Sequence, residues 1–307
     1  MSLTLLDRYR GSLLGLACGD AVGTTVEFMP RGTFSPVTDM VGGGPFNLKP
    51  GQWTDDTSMA LCLAESLLRK GGFDAADQMG RYLNWWKWGY LSSTGDCFDI
   101  GMTVRTALEA FEKNGDPFAG STDPFSAGNG SMMRLAPLVL FYFPDLHSVD
   151  DFCRQGSRTT HGAQEAIECC VVLARAMCNA LNGAHKTHLL SVPCADLTAP
   201  DVVAIAQGKY ADKPREQITG SGYAVASLEA ALWCVQHTNS FVDAVLAAVN
   251  LGDDADTTAA IVGQLAGAFY GVQGIPTGWL EKLCMRDDIE EMAEAMFNAA
   301  TERTILE

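Results

Sequence analysis

Two short acidic motifs carry the chemistry that can be read from this sequence. Residues 51–58 read GQWTDDTS and run straight into MALCLAESLLRK, so Thr54, Asp55, Asp56 and Thr57 fall where a helix begins. Residues 250–258 read NLGDDADTT and run into AAIVGQLAGAF, which places Asp253, Asp254, Asp256 and Thr257 at a second helix start. Capping accounts for one oxygen at each start, because Thr and Asp accept the free N–H groups of a first turn and acidic residues suit the positive end of the helix dipole. For either motif alone, capping is the simpler account. It does not explain several carboxylates gathered at the end of a buried helix, which are costly without a counter-charge, and neither motif contains a Lys or Arg. Carboxylate and hydroxyl oxygens suit hard cations such as Mg2+ or Mn2+, and two such motifs meeting in space could bridge a pair of ions roughly 3.5 to 4 Å apart.

A glycine-rich loop offers a second kind of site. Residues 126–137 read SAGNGSMMRLAP, and Gly128 and Gly130 flank Asn129 in an arrangement that can aim backbone N–H groups at an anion. These donors and Ser131 could hold a nucleotide diphosphate, with Arg134 one turn later as support. The loop is neither a P-loop nor a dinucleotide fingerprint, since Met133 stands at the third glycine position and no strand precedes it. An ordinary glycine turn capped by Ser131 explains the same residues.

Single residues say less. Glu27 lies between apolar Val26 and Phe28, and a carboxylate in apolar surroundings has a raised pKa suited to general acid or base work. Asp96 and Asp99 precede another helix, where capping by Asp99 is the plainer reading. His161, in TTHG, reads from its chemistry alone as structural. Trp85, Trp86, Trp88 and Tyr90 read as core or as an oligomer contact rather than as a stacking platform.

Helices must position all of these. Apolar residues recur at helical spacing through Leu5, Leu6, Tyr9, Leu13 and Leu16, again through Met59, Leu63 and Leu67, and again through Ile100, Val104, Leu108 and Phe111. Alanine- and leucine-rich stretches at 164–181, 223–235, 241–249, 257–270 and 289–300 are bounded by Gly, Pro, Asn or Asp. The pattern predicts an all-α fold of a dozen or so helices, with the 258–270 stretch central because it is apolar nearly all round. Residues 186–220, with three prolines, read as a looser excursion around a short helix at 201–206. One domain over 1–307 is expected.

Composition excludes whole classes of function. Lys+Arg 21 against Asp+Glu 37 leaves a net charge of −16, which repels a phosphate backbone, so no nucleic-acid partner is expected. No apolar run approaches a membrane span, and the first residues lack the features of a signal peptide, so the expected location is cytoplasmic. The ten cysteines are scattered through apolar runs without metal-binding spacing and read as reduced core thiols rather than a disulfide or zinc framework.

Taken in order, GSLLGLACGDAVGTTVEF, GQWTDDTSMAL, FDIGMT, GNGSMMRLAP, THG and GDDADTTAAIVG resemble the blocks of the ADP-ribosylglycohydrolase family, most nearly its bacterial branch typified by dinitrogenase reductase-activating glycohydrolase. The resemblance implies a single compact, orthogonal multi-helix domain with a binuclear metal cleft. It implies hydrolysis of the N-glycosidic bond between ADP-ribose and an arginine side chain, reversing mono-ADP-ribosylation of a protein and leaving ADP-ribose as product. It carries two divalent cations, Mg2+ or Mn2+, onto Thr54, Asp55, Asp56, Asp254, Asp256 and Thr257. It carries the diphosphate onto Gly128, Asn129, Gly130 and Ser131, and places Glu27, Asp99, His161 and Tyr223 near the distal ribose or the rest of the ligand. Glu27 or Asp99 would move the proton, with Glu27 favoured. Asp253 departs from the family, which often has a second glycine there; it either faces solvent or adds charge to the metal site. Cleavage of ADP-ribose from serine or from a small molecule, and a non-catalytic ADP-ribose-binding module, stay open as alternatives.

Overall fold

The computed structural model describes residues 3–306. Fourteen α-helices follow one another among them: α1 (Leu5–Gly23), α2 (Asp55–Lys70), α3 (Ala75–Trp88), α4 (Met102–Asn114), α5 (Ala136–Tyr142), α6 (Leu146–Arg158), α7 (Gln164–Leu181), α8 (Lys186–Leu189), α9 (Pro200–Ala206), α10 (Ala224–His237), α11 (Phe241–Val249), α12 (Ala255–Tyr270), α13 (Thr277–Lys282) and α14 (Arg286–Leu306). No strand occurs among the described residues, only isolated bridges such as Gly128 with Tyr223. This is the all-α fold expected, and no helix is long and apolar enough to cross a membrane.

Helices α1 and α12 form the spine. They run antiparallel in backbone contact, and the cause is a glycine at every fourth position of α1. Gly11 faces Gly267, Gly15 faces Gly263, Gly19 faces Ala259 and Gly23 faces Asp256. A Cβ added at Gly15 would lie 2.4 Å from the carbonyl oxygen of Gly263, and one at Gly19 2.1 Å from that of Ala259. Interior glycine weakens an isolated helix, but here it lets two backbones meet and gain dispersion and Cα–H···O contacts along their length. All of α12 from Ala255 to Ala268 is buried, as its apolar sequence requires.

Polar anchors fix this pair to its surroundings. Ser12 Oγ donates to the Gln264 carbonyl at 3.1 Å. The buried Gln264 side chain accepts the Ala136 N–H at 2.6 Å and donates to the carbonyls of Met132 and Met133 at 3.0 and 2.9 Å. A single amide thus joins the spine to the glycine-rich loop at the start of α5. The 186–220 segment is not loose. Glu168 on α7 accepts the N–H groups of Thr198 and Ala199, each at 2.8 Å, just before α9, and Val202, Ile205, Tyr210 and Ile218 enter the core. All ten cysteines are free, seven of them buried. Of the aromatic group, Trp85 is core, whereas Trp88 is 77% exposed.

Candidate metal centre and ligand cleft

Thr54 is the N-cap of α2, yet its side chain makes no capping bond to that helix. The α2 start is received instead by Asp20, 34 residues upstream on α1. Asp20 Oδ1 accepts the Thr54 N–H and hydroxyl, both at 2.9 Å, and Oδ2 accepts the Thr57 N–H at 3.0 Å and hydroxyl at 2.6 Å. Capping of α2 is therefore done from another helix, and Asp55 and Asp56 are left over. Helix α12 shows the same surplus: its N-cap Asp254 makes no side-chain capping bond.

The α1–α12 spine brings the two motifs together. Thr54 Oγ1 lies 3.4 Å from Asp256 Oδ2, and Thr257 Oγ1 lies 3.5 Å from Asp56 Oδ2. The single hydroxyl proton of Thr54 has three carboxylates within reach, those of Asp20, Asp56 and Asp256. Acceptors outnumber protons. Two sets of three carboxylates, Asp20 with Asp56 and Asp256, and Glu27 with Asp99 and Asp256, each place ligand oxygens within 4.8 Å of one another. Asp56 Oδ1 and Glu27 Oε2 are buried without any partner. None of the ion pairs among the described residues involves these groups.

Burial is the largest force on their protonation. It pushes Asp55, Asp56 and Asp256 well above the usual carboxylate range, and neighbouring carboxylates add to it, Asp99 first for Asp55 and Asp256, Asp20 first for Asp56. Asp254 is likewise raised by burial. Asp20 rises only to about 6, because four hydrogen bonds oppose its burial. Buried oxygens in excess of protons, with no cationic side chain among them, are a donor set that fits divalent cations. Asp20, Asp56 and Asp256, and Glu27, Asp99 and Asp256, are the carboxylates close enough together to hold a cation, and the expected ligands Asp55, Asp254, Thr54 and Thr257 stand beside them.

Glu27 is 3% exposed, but its neighbours are not those its sequence context implied. Phe28 turns outward, and the groups raising the Glu27 pKa are burial first, then Asp256 and Asp99. Asp99 does not cap α4, whose N-cap is Gly101. It has a left-handed backbone and a carboxyl pushed up to about 7, by burial first.

A cleft of about 660 Å³ stands over this cluster, with Glu27, Asp55, Asp99, Asp254 and Thr257 in its lining. Gly128, Asn129, Gly130 and His161 line it from the loop. Both glycines make room for the imidazole: a Cβ on Gly130 would lie 2.8 Å from His161 Cε1. The ring is held by Thr160 Oγ1, 2.8 Å from Nδ1, and its pKa is lowered to about 3 by burial and then by Arg134, so it is neutral. Asn129 Nδ2 donates to Asp254 Oδ2 at 2.6 Å and to Ser227 Oγ at 2.8 Å, tying the loop to the second acidic motif.

Three expected ligand contacts fall elsewhere. Ser131 Oγ meets Ser157 Oγ at 2.9 Å and Cys170 Sγ at 3.3 Å inside the core and does not line the cleft. Arg134 is buried behind the loop, donating to the Gly130 carbonyl and to Thr160 Oγ1, both at 2.6 Å, so it braces the loop instead of reaching an anion. Tyr223 pairs its backbone with Gly128, but its side chain leaves the cleft and donates to Glu165 at 2.6 Å. Asp253 is exposed at the rim with φ 55, which is the solvent-facing alternative and explains why glycine suits that position. Asp20 is the functional residue that sequence reasoning missed. It is the only charged side chain in the GSLLGLACGDAVG run, and that isolation was the legible signal.

Comparison with known proteins agrees with this geometry. The ADP-ribosylglycohydrolase family profile matches residues 1–305. The ADP-ribosylarginine hydrolase Tri1 of Pseudomonas putida (strain GB-1) is 49% identical over 295 residues, 96% of this chain and 79% of that protein. The ADP-ribosyl-[dinitrogen reductase] glycohydrolase of Rhodospirillum rubrum is 35% identical over 92% of each. A solved structure titled ADP-ribosylglycohydrolase-related protein complex superposes with a TM-score of 0.85 at 47% identity, covering 96% of this chain and 99% of that one. With two acidic helix starts meeting beneath a glycine-loop cleft and a family profile spanning nearly its whole length, this chain belongs to the ADP-ribosylglycohydrolase family.

Proposed function

We propose that this chain hydrolyses the N-glycosidic bond between ADP-ribose and an arginine side chain of a modified protein, and that it needs two divalent cations, Mg2+ or Mn2+, to do so. The observation that carries the reading is the meeting of Thr54, Asp56, Asp256 and Thr257 across some two hundred residues of sequence, in a buried set with surplus oxygens. Similarity to relatives named for arginine hydrolysis supports the choice of linkage. The ten free cysteines support a cytoplasmic, reducing location.

Bound in this site, divalent cations would supply positive charge that orients the ribose hydroxyls and acidifies water. The protein does the rest. Asp20 holds Thr54 and Thr57, and so the first turn of α2, in place for the ligand oxygens of Asp55 and Asp56. Gly128, Asn129 and Gly130 bring backbone close to the diphosphate without a positive side chain. Glu27 Oε2, buried and unpartnered, takes a proton from the attacking water, whose oxygen bonds to the anomeric carbon as the C–N bond breaks. The departing guanidine nitrogen takes up the proton that Glu27 removed from the water. Asp99, raised to about 7, sits beside Glu27 to share or pass on that proton.

The test is incubation with arginine- and serine-ADP-ribosylated proteins, with Mg2+, Mn2+ or chelator, while freed ADP-ribose is followed. Release from arginine, lost in chelator and in the Asp55→Ala, Asp256→Ala double variant, is expected. Parent-level release by that double variant would end the metal reading.

A further inference from the structure

Six non-glycine residues among those described hold left-handed backbone, and three of them, Phe28 (φ 63), Asp99 (φ 60) and Asp253 (φ 55), line the one cleft. Phe28 and Asp253 are joined directly. The Phe28 N–H donates to the Asp253 carbonyl at 2.7 Å, and the Asp253 N–H donates to the Met29 carbonyl at 2.8 Å. A bulky side chain at positive φ is costly, and burial does not offset it here, since Phe28 is 64% exposed. Asp253 is exposed too. Strain kept at two exposed, mutually pinned residues on a cleft wall is the kind that a ligand site retains.

Their chemistry names the ligand class. Both residues line the same cleft, and an aromatic ring and a carboxylate on one cleft wall suit a planar cation, which stacks on the ring and pairs with the acid. The Phe28 ring is backed by Phe46, with centroids 6.4 Å apart and planes at 74°, and Phe46 packs on Phe98 at 5.1 Å. Phe28 follows Glu27 in sequence and Asp253 precedes Asp254, so the pair stands where the acidic cluster opens to solvent. We propose that Phe28 and Asp253 form the subsite that receives the guanidinium of the leaving arginine and selects it over a neutral leaving group. This deepens, and rests on, the arginine reading given above.

The test separates the two. Agmatine, which carries a guanidinium and an ammonium, is titrated calorimetrically into the parent protein saturated with Mn2+ and ADP-ribose, with its isostere N-carbamoylputrescine, which keeps the ammonium and replaces the guanidinium by a neutral urea, as control. The parent is expected to bind agmatine and not the isostere. Phe28→Ala and Asp253→Asn should each weaken agmatine about three- to tenfold and leave ADP-ribose affinity unchanged. Asp253→Gly, which relieves the backbone, should raise the melting temperature and still weaken agmatine. Equal binding of agmatine and the isostere, unchanged agmatine affinity in the variants, or a parallel loss of ADP-ribose affinity would each overturn the subsite. If agmatine behaves as expected while the parent frees no ADP-ribose from arginine, the subsite stands and the activity reading falls. Turnover on arginine with agmatine binding unaltered by the substitutions has the opposite meaning.

Discussion

Asp20 grips Thr57 twice, through the backbone N–H at 3.0 Å and through the hydroxyl at 2.6 Å, with both residues buried. The carboxylate does for α2 what a local N-cap ordinarily does, and this frees the helix's own acidic first turn for ligand binding. Replacing Asp20 with Asn turns one acceptor into an amide donor facing N–H and O–H groups. We expect Asp20→Asn to weaken Mn2+ binding about 10- to 100-fold, as loss of an orienting outer partner does. Calorimetric titration of Mn2+ measures this, and an affinity equal to the parent's would remove Asp20 from the centre.

Protonation of the cluster sets a pH dependence with a definite sign. Asp20 and Asp99 have folded-state pKa values raised to about 6 and about 7, above the ordinary carboxylate value. Between about pH 4 and 7 the folded protein therefore holds more protons than the unfolded chain, so its stability in chelator falls as pH rises. Bound cation removes that penalty. The gap between melting temperatures with Mn2+ and with chelator should widen from about pH 5 to about pH 7.5. Scanning calorimetry at the two pH values decides it; a gap that narrows contradicts the sign.

The proton-moving role proposed for Glu27 can be isolated by a shape-preserving substitution. Glu27→Gln should lower kcat about 10²- to 10⁴-fold. It should also raise stability in chelator, because one member of a crowded acidic triad is neutralised. Steady-state kinetics and thermal unfolding of the same variant are the two readouts. A kcat within error of the parent's would exclude Glu27 as the base.

Glycine plays different parts along the chain. Gly19→Ala would put a Cβ 2.1 Å from the Ala259 carbonyl oxygen and force α1 and α12 apart, a destabilisation of about 1–3 kcal/mol. Gly80, inside α3, has nothing within 4 Å of such a Cβ. Gly80→Ala should therefore stabilise by about 0.5–1 kcal/mol. Chemical denaturation of both variants provides the comparison, and equal effects would show that the spine is not in backbone contact.

The acidic starts of α2 and α12 could be read from sequence because two motifs of like chemistry precede apolar helices, and a surplus of carboxylates is visible without coordinates. Helix α7 was equally plain, its expected 164–181 span coinciding with Gln164–Leu181. Asp20 was legible only as a lone acid inside an apolar helix, and its purpose shows when Thr54 and Thr57 arrive from another helix. Ser131 and Arg134 were assigned to a ligand by nearness in sequence to the loop, and Tyr223 by the family resemblance alone. Side-chain direction decides such matters, and Ser157, Gly130 and Glu165 draw those three side chains elsewhere. Spacing at 11, 15, 19 and 23 was open to view, yet its meaning depends on the facing helix.

That four-residue spacing leaves the spine with an ambiguity of register. Sliding α1 along α12 by four residues, about 6 Å, would set Gly15 against Gly267, Gly19 against Gly263 and Gly23 against Ala259, so small residues would again face one another. It would carry Asp20 away from Asp256 by the same 6 Å and dismantle the cluster. Periodic contacts cannot tell the two alignments apart, so the choice falls to groups that occur once: Ser12 on the Gln264 carbonyl, and Arg8 on the carbonyls of Ala268 and Phe269. A handful of unrepeated polar bonds thus acts as the detent that stops a smooth slide at the one setting where the acids meet.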